Sequence, residues 1–255
     1  MRFRLTNMEG NNLASQEHWD ESYKDLTFFK PSFSDPIRRI IKAYAPALGA
    51  NRSVFEVGCF PGRYLSVFGD RGCVLNGVDL TPRVLTDMPR WLAANGYKIG
   101  DFYCDNFFKL EAGKTYDIVC SFGFIEHFVN YDEVLRRHLS FISPGGMLIL
   151  TTPNFRGSFQ KMLHSHLDSG NLERHYLPSM DPVAWKKILV DSGYEVLFSG
   201  FKGGFDFWAE SESKSTLKKA LIRLLNLSGK ILRFLPFNSV SFSPYAVIIA
   251  KNKNL

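Results

Sequence analysis

Five short stretches of this 255-residue chain carry side chains suited to holding and altering a polar ligand. Glu56-Val57-Gly58-Cys59-Phe60-Pro61-Gly62 joins a carboxylate to two glycines, which permit a tight turn and a close backbone approach. Asp79-Leu80 closes a second apolar run, and one carboxylate can accept two hydroxyl hydrogen bonds. Asp105-Asn106 offers an acceptor for an exocyclic amine, and Ser121-Phe122 ends another apolar run. Just beyond it stands Glu126-His127, where a neutral imidazole is suited to taking a proton from a hydroxyl. Taken singly, the two aspartates read as ordinary strand-end turn residues, and the Glu-His pair as a loop support or helix cap.

The positions of these residues follow from the elements around them. Strands are expected at Ser53–Val57, Val74–Leu80, Ile99–Cys104, Tyr116–Ser121, Met147–Thr152, Tyr194–Gly200 and Tyr245–Ala250. Helical patterns intervene at Arg63–Phe68, Pro82–Asn95, Asp132–Ile142 and Pro182–Ser192, and two more precede the first strand, at Ser15–Tyr23 and Pro36–Tyr44. Strands separated by single helices imply parallel crossovers and a sheet covered on both faces. In such sheets ligands bind beyond the carboxyl ends of the strands, and four of the five stretches end a strand while Glu126-His127 lies just past one. A dinucleotide site is excluded because G-x-G-x-x-G is not met: Phe60 and Arg63 stand where further glycines belong.

The first stretch resembles motif I of class I S-adenosylmethionine-dependent methyltransferases, E/D-x-G-x-G-x-G, through Glu56, Gly58 and Gly62. The later stretches fall in the order that family predicts, and Pro144-Gly145-Gly146 precedes the fifth strand as in many members. The resemblance covers residues 54–154. It implies a doubly wound, mostly parallel seven-stranded α/β sheet of Rossmann-like methyltransferase type, with an N-terminal helical cap and a helical insertion before the last strand. It also implies S-adenosyl-L-methionine as cofactor and S-adenosyl-L-homocysteine as product. Glu56, Gly58, Cys59, Phe60, Gly62, Asp79, Leu80, Asp105, Asn106, Ser121 and Phe122 are its expected contacts. Asp79 would accept the ribose hydroxyls and Asp105 the adenine amino group. Phe60 departs from the pattern by filling the middle glycine position, so its side chain must turn away or pack over the methionine moiety.

A single domain over 1–255 is expected: a cap to residue 50, a cofactor half over 51–153, then a lid, closing strands and a basic helix over 154–255. Methyl transfer needs alignment above all, plus a base if the acceptor is a hydroxyl, for which His127 is the candidate. The long connection Asn154–Met180 reads as a lid over the acceptor, holding His164, His166, His175 and Tyr176. His164-Ser-His166 has no clear third ligand, so no metal is expected. Trp19 and Tyr23 could close over the cofactor or simply pack on the core. Cys59, Cys73, Cys104 and Cys120 show no paired spacing and read as buried thiols.

Charge separates the two ends of the chain. Residues 211–255 hold eight basic residues against the single acid Glu212, leaving the rest near neutral, unlike the spread basic face of a DNA-binding domain. Nucleic acid is therefore not an expected partner. Within that segment Leu217–Leu235 has helical periodicity. Leu217, Ala220, Leu221, Leu224, Leu225, Leu227, Ile231, Leu232 and Leu235 fall on one side; Lys218, Lys219, Arg223, Lys230 and Arg233 lie opposite, with Ile222 an exception. Such a helix could lie on an anionic membrane, or pack on the sheet or on a second subunit. Residues 1–12 lack an apolar signal core, so a cytoplasmic place is expected, with peripheral contact to the inner membrane face as an option. The resulting expectation is methylation of a small-molecule or lipid-linked acceptor on oxygen. Carbon methylation of the cyclopropane-synthase kind and a non-catalytic cofactor-binding module are the alternatives. D/N-P-P-Y/F, common in nucleobase amine methylation, is absent after the fourth strand.

Overall fold

The computed structural model describes residues 13–45, 51–111, 113–209, 215–234 and 237–253. Leu235 and parts of the expected cap, 1–12 and 46–50, lie outside them. Seven strands form one sheet: β1 (Ser53–Val57), β2 (Val74–Asp79), β3 (Lys98–Cys104), β4 (Tyr116–Phe122), β5 (Ile142–Pro153), β6 (Tyr194–Lys202) and β7 (Tyr245–Asn252). Their order is β3-β2-β1-β4-β5-β7-β6, and only β7 runs antiparallel to its neighbours. The strand order reverses between β1 and β4, and ligands of such sheets sit in the crevice there.

Alternation along the central strands supplies two cores. Val54, Ile118, Ile149 and Val247 face one layer, with Ile41 of α2 (Pro36–Tyr44), Phe68 of α3 (Leu65–Gly69) and Leu92 of α4 (Asp87–Ala94). Their neighbours Phe55, Val119, Leu148 and Ile248 face the other, with Leu135 of α5 (Tyr131–Leu139) and Trp185 of α8 (Pro182–Asp191). Burial on both faces explains why these strands read as near-continuous apolar runs.

The element bounds differ from the sequence expectation in three informative places. The helix expected over Pro82–Asn95 is split at Thr86 into a 3-10 turn (Pro82–Leu85) and α4. Pro89 is the cause: it has no N–H for an interior turn and is tolerated only in the first turn of a helix that restarts at Asp87. Pro144-Gly145-Gly146 lies inside β5 rather than before it, absorbed by a register shift against β4 between Tyr116 and Ile118. The connection 154–180 folds into α6 (Ser158–Leu167), α7 (Ser169–Glu173) and a 3-10 turn (Leu177–Ser179).

The cap begins with α1 (Gln16–Tyr23), where Ser15 Oγ accepts from the His18 N–H. Before β7 comes the insertion α9 (Thr216–Leu232). Its packing overturns part of the expected pattern. Ile222, thought exceptional, packs with Leu225 and Leu232 against Leu163, Leu167, Phe205 and Phe207. Leu217, Leu221, Leu224, Leu227 and Ile231 are exposed. Arg233, placed with the free cations, pairs with Asp206 at 3.2 Å.

Candidate active site

The loop after β1 owes its shape to its glycines. Gly58 and Gly62 adopt φ of 68° and 79°, a region that costs other residues strain. The N–H groups of Gly58 and Cys59 donate to the Val78 carbonyl at 2.9 and 3.2 Å, tying β1 to the end of β2. There the Phe60 N–H donates to Asp79 Oδ2 (3.0 Å) and the Thr81 N–H to Oδ1 (3.1 Å). Each oxygen retains a lone pair for a ligand. Burial pushes the Asp79 carboxyl up to about 6. The Asp105 N–H donates to the Asp79 carbonyl at 3.1 Å, so the tips of β2 and β3 are linked in turn.

A cleft of about 780 Å³ opens over these tips. Of the residues singled out in the sequence, Gly58, Asp79, Leu80, Asp105, Asn106 and His127 line it. Trp19 and Tyr23 of the cap line it as well. Glu56, Cys59, Phe60, Gly62, Ser121 and Phe122 are not among its walls. The Phe60 ring is turned into the cap instead, 4.9 Å from Tyr23 and 5.7 Å from Phe28, leaving its N–H for Asp79. Phe122 packs on Tyr64 at 4.9 Å, and Cys59 and Ser121 are buried. Cys104, expected to be buried, is partly exposed at the cleft wall. Sequence reading missed Phe107, Phe108 and Phe128 as wall residues, although the Phe107-Phe108 pair directly follows Asp105-Asn106; Phe124 lines the wall as well.

Glu56 is buried with Oε2 lacking a hydrogen-bond partner, and burial raises its carboxyl well above the ordinary range. The paired acceptors of Asp79 and the turn at Gly58, both at the cleft wall, together fit a nucleoside carrying an amino-acid tail.

The opposite wall is built around Glu126-His127. The His127 carbonyl accepts from the Leu13 N–H at 2.8 Å and the Glu126 carbonyl from the Tyr176 N–H at 2.7 Å, so cap and lid are fastened to one dipeptide. His127 Nδ1 lies 2.9 Å from the Arg174 carbonyl. A carbonyl only accepts, so Nδ1 carries the hydrogen and Nε2 keeps its lone pair. Burial holds this imidazole neutral, with its pKa pushed down to about 4. Trp19 packs edge-on against it at 5.2 Å.

His175, 4.7 Å away between ring centres, is fixed in the same way by the Asn171 carbonyl at 2.6 Å, and burial pushes it to about 3. The Glu126 carboxyl, also buried, is pushed up to about 8 and is protonated at neutral pH. One ligand-capable atom from each of Glu126, His127 and His175 falls within 4.8 Å of the other two, a set that could relay a proton or hold a cation. The sequence reading looked for metal ligands at His164 and His166 instead. Those two point apart on α6: His164 is buried 4.0 Å from the Phe155 ring, while His166 is exposed and bonded to the Met162 carbonyl.

A family model described as a methyltransferase domain matches residues 32–198. Over 101 residues the chain is 26% identical to a ubiquinone biosynthesis O-methyltransferase of Rickettsia conorii. That match takes in 40% of this chain and 35% of the relative, so the chain spans about a third of the relative's length. A SAM dependent methyltransferase from Archaeoglobus fulgidus superposes with a TM-score of 0.54 at 20% identity, over 91% of this chain and 97% of that one. The magnesium protoporphyrin IX methyltransferase of Synechocystis, solved with bound SAH, gives 0.57 at 14% identity over 93% and 94%. At such identities these structures speak to the fold.

Proposed function

The chain belongs to the methyltransferase-domain family, and from that premise we propose that it transfers a methyl group from S-adenosylmethionine to a hydroxyl of a small-molecule acceptor. The observation that carries this reading is the neutral His127, its Nδ1 hydrogen held by Arg174 and its Nε2 available, in the wall of the cleft that Asp79 also lines.

The cofactor brings an electrophilic methyl group on a sulfonium, so the protein need supply only alignment and proton removal. Asp79 would accept the ribose hydroxyls, Asp105 and Asn106 would hold the base, and the Gly58 turn would let the backbone approach the tail. Trp19 and Tyr23 of α1 then cover the cleft from the cap side and exclude water. His127 Nε2 takes the acceptor's proton, and the protonated Glu126 beside it supplies a donor within the same buried group. The aromatic wall of Phe107, Phe108, Phe124 and Phe128 suits a flat or apolar acceptor. The O-methyltransferase relative supports oxygen as the methylated atom. A lipid-linked acceptor is the variant of this reading that the exposed helix α9 favours.

The test is calorimetry with S-adenosylhomocysteine on wild type and Asp79→Ala, followed by methyl transfer from labelled cofactor to phenols, catechols and amines. Binding lost in Asp79→Ala together with transfer to hydroxyls supports the reading. Transfer to amines alone would move the acceptor to nitrogen. Binding without transfer to any acceptor would favour a cofactor-binding module, and no binding at all would sink the reading. A chelator added to the transfer assay separates a histidine base from a cation held by Glu126, His127 and His175.

A further inference from the structure

Helix α9 divides its surface into three strips. Ile222, Leu225, Gly229 and Leu232 turn inward at i, i+3, i+7, i+10 spacing, and Gly229 lets the helix approach Asp206, where a Cβ would stand 2.6 Å from Oδ1. Arg233 pins the carboxyl end to Asp206, so the helix is held in one orientation. Leu217, Leu224, Leu227 and Ile231 face outward with 58–80% of their surface exposed. Phe234 and Phe237, just past the helix end, are also exposed, at 56% and 65%. Lys219, Arg223 and Lys230, all exposed, flank it. Single exposed leucines need no explanation, but a continuous apolar ridge bordered by cations marks an interaction surface.

We propose that this ridge docks the protein laterally on an anionic lipid surface. No described helix is long and apolar enough to cross a membrane, so the contact is with one interface. The strip is a row of exposed aliphatic side chains with lysine and arginine alongside, the arrangement that places apolar groups at the acyl boundary and cations among the headgroups. Charge complementarity selects the lipid surface over a second copy of the chain. An antiparallel two-fold contact through this face would set the strip of Lys219, Arg223 and Lys230 beside the same cationic strip of the other copy. Leu163 and Leu167 of α6 pack on the inner face of α9, so the lid segment that carries His175 is joined to the docking helix. That last placement rests on the acceptor reading above: it would let a lipid-borne acceptor enter under the lid.

The experiment is flotation of the full chain with vesicles of phosphatidylcholine alone and of phosphatidylcholine doped with phosphatidylglycerol. Binding to the doped vesicles only, weakening as salt rises, is expected. Leu224→Glu with Ile231→Glu abolishes it. Lys219→Gln, Arg223→Gln and Lys230→Gln together weaken it about a hundredfold, at about fivefold per cation. These positions are exposed, and unchanged S-adenosylhomocysteine affinity in both variants serves as the fold control. No flotation, or flotation indifferent to Leu224→Glu with Ile231→Glu, overturns the proposal. So does a dimer in light scattering that the same pair of substitutions dissociates. Failure here with cofactor binding intact leaves the methyl-transfer reading untouched.

Discussion

The backbone N–H of Phe60 donates to Asp79 Oδ2 at 3.0 Å while the Phe60 ring packs between Tyr23 and Phe28. One residue thereby joins the turn after β1, the carboxylate ending β2 and the N-terminal cap. A large side chain where a glycine is usual does not fill the cleft, because its ring leaves on the cap side.

Asp79 makes cofactor affinity depend on pH. Its carboxyl is raised to about 6, so between its ordinary value and 6 the folded empty protein holds more protons than the unfolded chain. Its contribution to stability is therefore full at low pH and is lost as pH rises through 6. A ligand donating two hydroxyls needs the ionised form. S-adenosylhomocysteine affinity should rise with pH up to about 6 and be flat above, falling at most about tenfold per unit below. Calorimetry at pH 5 and pH 8 checks this, and a flat profile would remove Asp79 from the ribose.

His127→Ala should lower kcat by about 10²–10⁴-fold on a hydroxyl acceptor while leaving cofactor affinity nearly unchanged. Because burial keeps the imidazole neutral down to about pH 4, kcat at saturating cofactor should show no acid limb near the usual histidine value. Steady-state rates across pH 5–8 decide the point, and a limb near 6.5 would contradict this environment for His127.

His138 is buried on α5, with Nδ1 on the Val134 carbonyl at 2.8 Å, Nε2 unpartnered and its pKa pushed down to about 4 by burial. Between 4 and 6.5 the unfolded chain binds the extra proton, so stability falls as pH falls through that window. His138→Leu should make the protein less acid-sensitive by about 1.4 kcal/mol per pH unit there. Urea unfolding at pH 5 and 7 measures the difference, and an unchanged slope would refute it.

Gly58→Ala should weaken both fold and cofactor binding. Its φ of 68° strains a residue with a side chain, and the new Cβ would lie 2.9 Å from Phe124 Cδ2 in the cleft wall. The strain alone is worth about 1–2 kcal/mol. Thermal unfolding should show a lowered Tm, and calorimetry at least a tenfold loss of S-adenosylhomocysteine affinity. A variant with both unchanged would mean that the loop relaxes freely.

The sheet was legible in the sequence because burial on both faces writes unbroken apolar runs such as Met147–Leu150, and because turn glycines and strand-end acids mark where each run stops. Pro89 was equally legible as a helix breaker but was read through, since the apolar spacing on either side continues across it. Gly58, Asp79, Asp105 and His127 gather at one cleft because each lies at or shortly after a strand end, and strand ends share one edge of the sheet.

Contacts between distant segments could not be read this way. His175 meets His127 across 48 positions only because the chain after α6 and α7 returns to the Glu126-His127 turn beyond β4, and no local pattern encodes that return. The direction of the Phe60 ring depended on an aromatic cap formed by residues more than 30 positions earlier. On α9, periodicity shows that apolar and basic strips exist. Which apolar strip turns inward was decided by Gly229, Asp206 and the lid helix, because a helix with apolar residues over much of its circumference can bury either side and only its neighbours choose.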